Sequence, residues 1–62
     1  MTVNQFRKKV EIARKYGKAN LDNGSVLYYY GPGGSIIWSL KDKYGQTVDT
    51  AYDPKQFEYL YK

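Results

Sequence analysis

Six basic side chains are concentrated in the first 18 residues of this 62-residue chain, where Glu11 is the one acid. This segment therefore has a formal charge of +5, whereas the rest of the chain has four Lys against five acids and a charge of −1. Clustered Lys and Arg bind phosphate groups or acidic surfaces. The segment predicts an anionic partner, whether a nucleic acid, lipid headgroups or an acidic protein surface. The candidate contact residues are Arg7, Lys8, Arg14, Lys15 and Lys18.

A run of three tyrosines, Tyr28 to Tyr30, is the second feature that could bind a partner. Alternate residues of a strand point to the same face, so Tyr28 and Tyr30 share one face of the predicted sheet. Tyrosine offers a flat surface that suits base stacking, docking of a protein or self-association. The competing interpretation is that these rings stabilise the sheet by cross-strand packing. The candidate partner-binding residues are Val26, Tyr28, Tyr30 and Ile37.

Catalysis and metal binding have little basis in this composition. The chain contains no His and no Cys, so it lacks the usual general base, the usual metal ligand and any thiolate. Asp49 and Asp53 are the nearest approach to a paired-carboxylate site, but Asp53 is better explained as a helix cap. The glycine-rich residues 31–34 join two strands, whereas a phosphate-binding loop leads into a helix. We expect no enzyme activity, no metal and no cofactor.

An amphipathic helix is predicted over residues 2–16 and would position the basic side chains. Thr2 and Gln5 have the spacing of a capping box, and Gly17 is suited to end the helix in a left-handed conformation. A helical wheel separates an apolar from a polar face. The apolar face contains Val3, Phe6, Val10, Ala13 and Tyr16, and the opposite face contains Arg7, Glu11, Arg14, Lys15 and Lys18.

Three strands follow, at residues 26–30, 35–40 and about 46–51, because β-branched and aromatic runs alternate there with turn residues. Asn23-Gly24 is a hairpin signal, which leaves open a short edge strand at residues 19–22. Asp53 and Pro54 begin a short second helix as cap and first residue. The predicted fold class is α+β, with the order α-β-β-β-α in a single domain spanning residues 1–62.

The strand pairing predicts which side chains form the core. A hairpin centred on residues 32 and 33 pairs Leu27 with Trp38, and a three-residue turn at 43–45 pairs Leu40 with Val48. Tyr52 is expected in the core and Tyr59 at the surface. The expected core contains Leu27, Tyr29, Ile36, Trp38, Leu40 and Val48, covered by Phe6, Val10, Phe57 and Leu60. The other face is expected to carry Val26, Tyr28, Tyr30, Ser35, Ile37, Ser39, Lys41 and Thr47.

These observations favour a small, non-enzymatic binding module that contacts the nucleic-acid backbone through its basic N-terminal helix. The alternative is an accessory or inhibitor protein, of the type found in mobile elements, that binds a partner protein through the tyrosine-bearing sheet face. The sequence shows no long apolar run and no signal peptide, so we expect a soluble, cytoplasmic protein without membrane association. We expect a monomer or a weak homodimer.

Overall fold

The computed structural model describes residues 1–31 and 37–61, without the side chain of Asn23. It confirms the α+β class, with four strands in place of the expected three. Strand neighbours are antiparallel and follow chain order, from β1 to β4. The elements are α1 Val3–Tyr16, β1 Lys18–Asn20, a 3₁₀ turn Asp22–Gly24, β2 Val26–Tyr29, β3 Trp38–Lys41, β4 Thr47–Ala51 and a C-terminal 3₁₀ helix Pro54–Tyr61.

Helix α1 has both predicted end signals. The Thr2 hydroxyl accepts a hydrogen bond from the Gln5 amide (3.2 Å), and the Gln5 side chain accepts one from the Thr2 amide (2.8 Å). Gly17 follows the helix with φ 92°. Phe6, Val10 and Ala13 are buried against the sheet as expected, but Tyr16 is 70% exposed. The wheel places Tyr16 about 90° from the centre of the buried face, at the rim of the apolar stripe.

The edge strand is present as β1, which pairs with β2. Asn23-Gly24 belongs to the 3₁₀ turn and does not form a two-residue hairpin turn; the Leu21 amide donates to the Ser25 carbonyl (2.7 Å) across this connection. Gly24 has φ 83°, and a Cβ atom there would lie 2.8 Å from the Cβ of Lys43. The turn therefore requires glycine at this position for both conformation and space.

The β2–β3 hairpin is confirmed, but its register is shifted by two residues. Leu27 pairs with Leu40 and Tyr29 with Trp38, where the sequence predicted Leu27 opposite Trp38. A shift of two keeps every side chain on its predicted face. The expected strand residues Ser35 and Ile36, with the pairing of Ile36, lie outside the described residues.

The β3–β4 turn has the predicted three-residue form, with Gly45 at φ 83° and the Asp42 amide donating to the Gln46 carbonyl (2.9 Å). The predicted pairing of Leu40 with Val48 is wrong, because a β-bulge follows the turn and Leu40 faces Asp49. A bulge inserts one unpaired residue into a strand. That residue is Val48, which is 56% exposed and does not belong to the core.

The core differs from the expected one at several further side chains. Ala51, opposite Trp38 in the sheet, is buried; the next residue, Tyr52, is 63% exposed, because neighbouring strand residues point to opposite faces. Leu60 is 43% exposed, and Tyr61 instead stacks on Phe6, with ring centroids 4.9 Å apart. Tyr59 is exposed as predicted. The buried apolar residues are Phe6, Val10, Ala13, Ala19, Leu21, Leu27, Trp38, Leu40, Ala51 and Phe57.

The C-terminal helix begins at Pro54, as predicted, and the Asp53 carboxylate accepts a hydrogen bond from the Lys55 amide (3.0 Å). It is a 3₁₀ helix of eight residues. Phe57 is fully buried and packs edge-to-face on Phe6, with ring centroids 6.4 Å apart. Both helices thus cover the same face of the sheet. The opposite face, referred to below as the open sheet face, is covered by no described element.

Candidate functional site

Four of the five predicted basic residues form two parallel stripes on α1. Arg7 and Arg14 are seven residues apart, as are Lys8 and Lys15, and a spacing of seven places each pair on one line along the helix. The arginine stripe borders the C-terminal helix and the end of the sheet. The lysine stripe is rotated by a further 100° and points away from the core. The five candidates therefore do not act as one patch.

Arg7 makes a bidentate ion pair with Glu58 of the C-terminal helix. Its Nε and Nη2 atoms donate to the two carboxylate oxygens at 3.0 and 3.1 Å. The hydrogen bonds, and then the negative charge of Glu58, hold the pKa of the Arg7 guanidinium above its ordinary value. Glu58 is 7% exposed, and a buried carboxylate requires such a partner. The charge of Arg7 is thus balanced within the fold, and the ion pair joins α1 to the C-terminal helix.

Arg14 has two partners of its own. Its Nη1 atom lies 2.9 Å from a carboxylate oxygen of Glu11, one turn earlier on α1. Its guanidinium also lies over the ring of Trp38, 5.6 Å from the centroid. A guanidinium stacked on an aromatic face gains a cation–π interaction. Arg14 therefore serves in part to cover Trp38 at the end of the sheet.

Lys8, Lys15 and Lys18 are exposed and make no ion pair with any described residue. Lys15 lies over the ring of its neighbour Tyr16, with Nζ 5.4 Å from the centroid. Lys18 begins β1, just past the Gly17 turn, so it lies beside the last turn of α1. These three lysines are the members of the predicted set whose charge is not balanced by a nearby acid.

The open sheet face is defined by the strand register, because paired residues share a face. One cross-strand row on this face contains Lys18, Tyr28, Ser39 and Thr50. The next row contains Asn20, Val26, Lys41 and Thr47. No residue in either row is acidic. The acid of β4, Asp49, faces the other side in the row of Leu27 and Leu40, where it accepts hydrogen bonds from the Thr50 amide and the Tyr59 hydroxyl.

Tyr28 and Tyr30 lie side by side on the open sheet face. Their rings are nearly parallel, with an interplanar angle of 6° and centroids 6.3 Å apart. Tyr30 is 57% exposed and Tyr28 is half-buried. Lys41 places its ammonium 5.8 Å from the Tyr28 ring centroid, and Lys18 is the cross-strand partner of Tyr28 on the other side. The two tyrosines are therefore bordered by a lysine on each neighbouring strand.

The other two candidates on this face are placed differently. Val26 is half-buried and occupies the row next to Tyr28. Ile37 accepts a backbone hydrogen bond from the Tyr30 amide (2.8 Å), but its side chain packs partly against the core. Ser39, expected on this face, is 3% exposed because it is small and lies between larger neighbours in the central strands. The structure thus brings together Val26, Tyr28 and Tyr30.

A cleft that the sequence did not reveal lies between α1 and the C-terminal helix, with a volume of about 280 Å³. Its charged side chains are balanced, since Arg7, Arg14 and Lys55 face Glu11, Asp53 and Glu58. A second cleft of about 310 Å³ runs past Trp38, Tyr29 and Tyr52. The residues that line each cleft are distant in the sequence and come together only in the fold, so no spacing in the sequence indicates either cleft. The balanced charge gives this region no preference for an anion.

The acidic side chains do not form a metal site among the residues that the structure describes. Asp49 is engaged by Tyr59, and Asp53 caps the C-terminal helix, so the two do not act as a carboxylate pair. No helix in the described ranges is both long and apolar enough to cross a membrane. Comparison of the chain with models of protein families, with curated proteins and with solved structures found no match.

Proposed function

We propose that the protein is a non-enzymatic binding module for nucleic acid, and that Lys8, Lys15 and Lys18 contact the phosphate backbone. The observation that supports this proposal is that these lysines are exposed and make no ion pair within the described residues. Lysine is a compact, strongly hydrated charge that contacts phosphate without requiring a fixed geometry. Contacts of this kind provide affinity without sequence specificity.

The dependence of affinity on salt measures how many phosphates are contacted. Three contacts predict a slope of log K against log salt of about −2.7 for duplex DNA. If Arg7 and Arg14 also contacted phosphates, duplex DNA would give a slope of about −4.5. The ion pairs of both arginines favour the smaller value, which fluorescence anisotropy with a labelled oligonucleotide can measure.

The matched variants separate local contacts from net charge. Lys8→Gln with Lys15→Gln, and Lys43→Gln with Lys55→Gln, each lower the net charge from +4 to +2. We expect the first pair to weaken binding and to reduce the salt slope by about 1.4 to 1.8, and the second pair to have a smaller effect. Equal losses would contradict the contact set. Absence of binding to both DNA and RNA at low salt would refute the proposed function.

A second candidate function is the binding of a partner protein through the open sheet face, which the exposed Tyr30 favours. Contacts made by aromatic burial are screened by salt far less than contacts to phosphate. A complex formed in this way would persist at roughly 0.5–1 M salt, where phosphate contacts are lost because the electrostatic screening length has fallen to about 3–4 Å.

A further inference from the structure

The open sheet face combines aromatic surface and positive charge in one place. Tyr28 and Tyr30 present nearly parallel rings on β2, and Lys18 and Lys41 lie on the two neighbouring strands. Neither cross-strand row on this face contains an acidic side chain. A single strand of nucleic acid offers the complementary pair of features, because each nucleotide has a flat base and a phosphate. A neutral or basic protein surface would leave both lysines without a partner.

The geometry also selects between single strand and duplex. In a duplex the faces of the bases are stacked on one another, so side chains reach only base edges and the backbone. A sheet face with projecting tyrosines stacks on bases that are unpaired. The lysine stripe of α1, in contrast, can contact the backbone of either form.

We propose that the open sheet face binds single-stranded nucleic acid, with bases stacked on Tyr28 and Tyr30 and phosphates contacted by Lys18 and Lys41. This inference rests on the proposed function and names its substrate class. Lys18 belongs to both surfaces, since it follows the last turn of α1 and pairs with Tyr28 across the sheet. A bound strand therefore passes the β1 edge beside the C-terminal end of α1.

The test measures anisotropy of a labelled oligothymidylate of about 12 nucleotides and of a labelled duplex of the same length. The native protein should bind the single strand more tightly. Tyr28→Leu with Tyr30→Leu keeps apolar side chains in the strand but removes the rings, and should weaken single-strand binding at least ~10-fold while changing duplex binding little. Tyr28→Phe with Tyr30→Phe should restore it, because stacking uses the ring and not the hydroxyl.

The control pair is Tyr44→Leu with Tyr59→Leu, which removes two exposed rings that lie on the β3–β4 turn and on the C-terminal helix, away from the open sheet face, and should leave binding unchanged. Fluorescence of Trp38 and circular dichroism establish that each variant is folded. If the variant with Tyr28→Leu and Tyr30→Leu fails to fold, Lys18→Gln with Lys41→Gln tests the same surface without altering the rings. Those substitutions should lower the single-strand salt slope by about 1.4.

Four outcomes would overturn the inference. If single strand and duplex bind equally, and the Leu pair binds as the native protein does, the phosphate-binding function stands but the sheet face is not its site. If sedimentation shows a dimer that Tyr28→Leu with Tyr30→Leu disperses, a second copy of the chain occupies the open sheet face. If a protein partner binds there in high salt, that protein occupies it. If no nucleic acid binds at low salt, the proposed function fails as well.

Discussion

The bulge in β4 predicts a small loss of stability for a substitution at Val48 and a larger loss for a substitution at Ala51. Val48 is unpaired and 56% exposed, whereas Ala51 is 8% exposed and lies opposite Trp38. Val48→Ala removes two carbon atoms, worth about 1.6 kcal/mol if fully buried. At the observed exposure, less than half of this is lost, about 0.7 kcal/mol. Ala51→Val adds the same two carbons against Trp38 and should cost about 1–3 kcal/mol by overpacking.

The assay is urea unfolding, monitored by the fluorescence of Trp38. This residue is the one tryptophan of the sequence and is 2% exposed in the fold. Val10→Ala is a matched control, because Val10 is buried whatever the register of β4, and it should lower the free energy of unfolding by about 1–2 kcal/mol. Without the bulge, Val48 would be in the core and Ala51 would pair with Ile37 on the open sheet face. The reasoning is refuted if Val48→Ala costs more than Ala51→Val.

Three further predictions concern the helix ends and one tyrosine. Thr2→Ala removes the oxygen that accepts the Gln5 amide and should lower the free energy of unfolding by about 1 kcal/mol, whereas Thr2→Ser should not. Gly17→Ala should lower the free energy of unfolding by about 1–2 kcal/mol through backbone strain alone, because φ is 92° and an added Cβ meets nothing within 4 Å. Urea midpoints measure the effects of both substitutions. The hydrogen bond to Asp49 raises the pKa of Tyr59. The stabilisation from this bond is complete below the unfolded pKa of about 10 and is lost as the pH rises through the folded pKa. The stability difference between native protein and Tyr59→Phe should therefore disappear at alkaline pH.

Short-range features of the fold could be predicted because the interacting residues are close in the sequence. The capping box joins Thr2 to Gln5, and the turn at Gly45 is closed by residues on either side of it. The cap of the C-terminal helix joins Asp53 to Lys55 in the same way. Each of these hydrogen bonds spans four residues or fewer, so the residue types and their spacing are sufficient to indicate it.

Strand register was predicted less well, and the kind of error matters. The β2–β3 pairing was wrong by two residues, which left Leu27 and Trp38 on the core face. The error in β4 was one residue, which exchanged the faces of Val48 and Asp49. Side chains alternate with a period of two, so an even shift preserves the faces and an odd shift reverses them. The hydrophobic pattern does not indicate this bulge, because the bulge places the apolar side chain of Val48 at the surface.

The candidate site was predictable in part for the same reason. Alternation alone placed Tyr28 and Tyr30 on the open sheet face, and an even shift did not disturb it. The ion pair between Arg7 and Glu58 was not predictable, since the two residues are 51 positions apart. Their meeting depends on how the C-terminal helix packs against α1, which no local pattern specifies.

The positive charge that the sequence places in the first 18 residues is therefore divided by the fold between two roles. Arg7 and Arg14 use their planar guanidinium groups for contacts of fixed geometry, to the Glu58 carboxylate and to the Trp38 ring. The lysines point to solvent or to the open sheet face, where a mobile ammonium can follow a flexible polyanion. Lys18 connects the two surfaces, because it lies just past the last turn of α1 and begins the row that contains Tyr28. The lysines that make no ion pair thus lie on the solvent-facing side of α1 and on the open sheet face, not on the side of α1 where Arg7 binds Glu58.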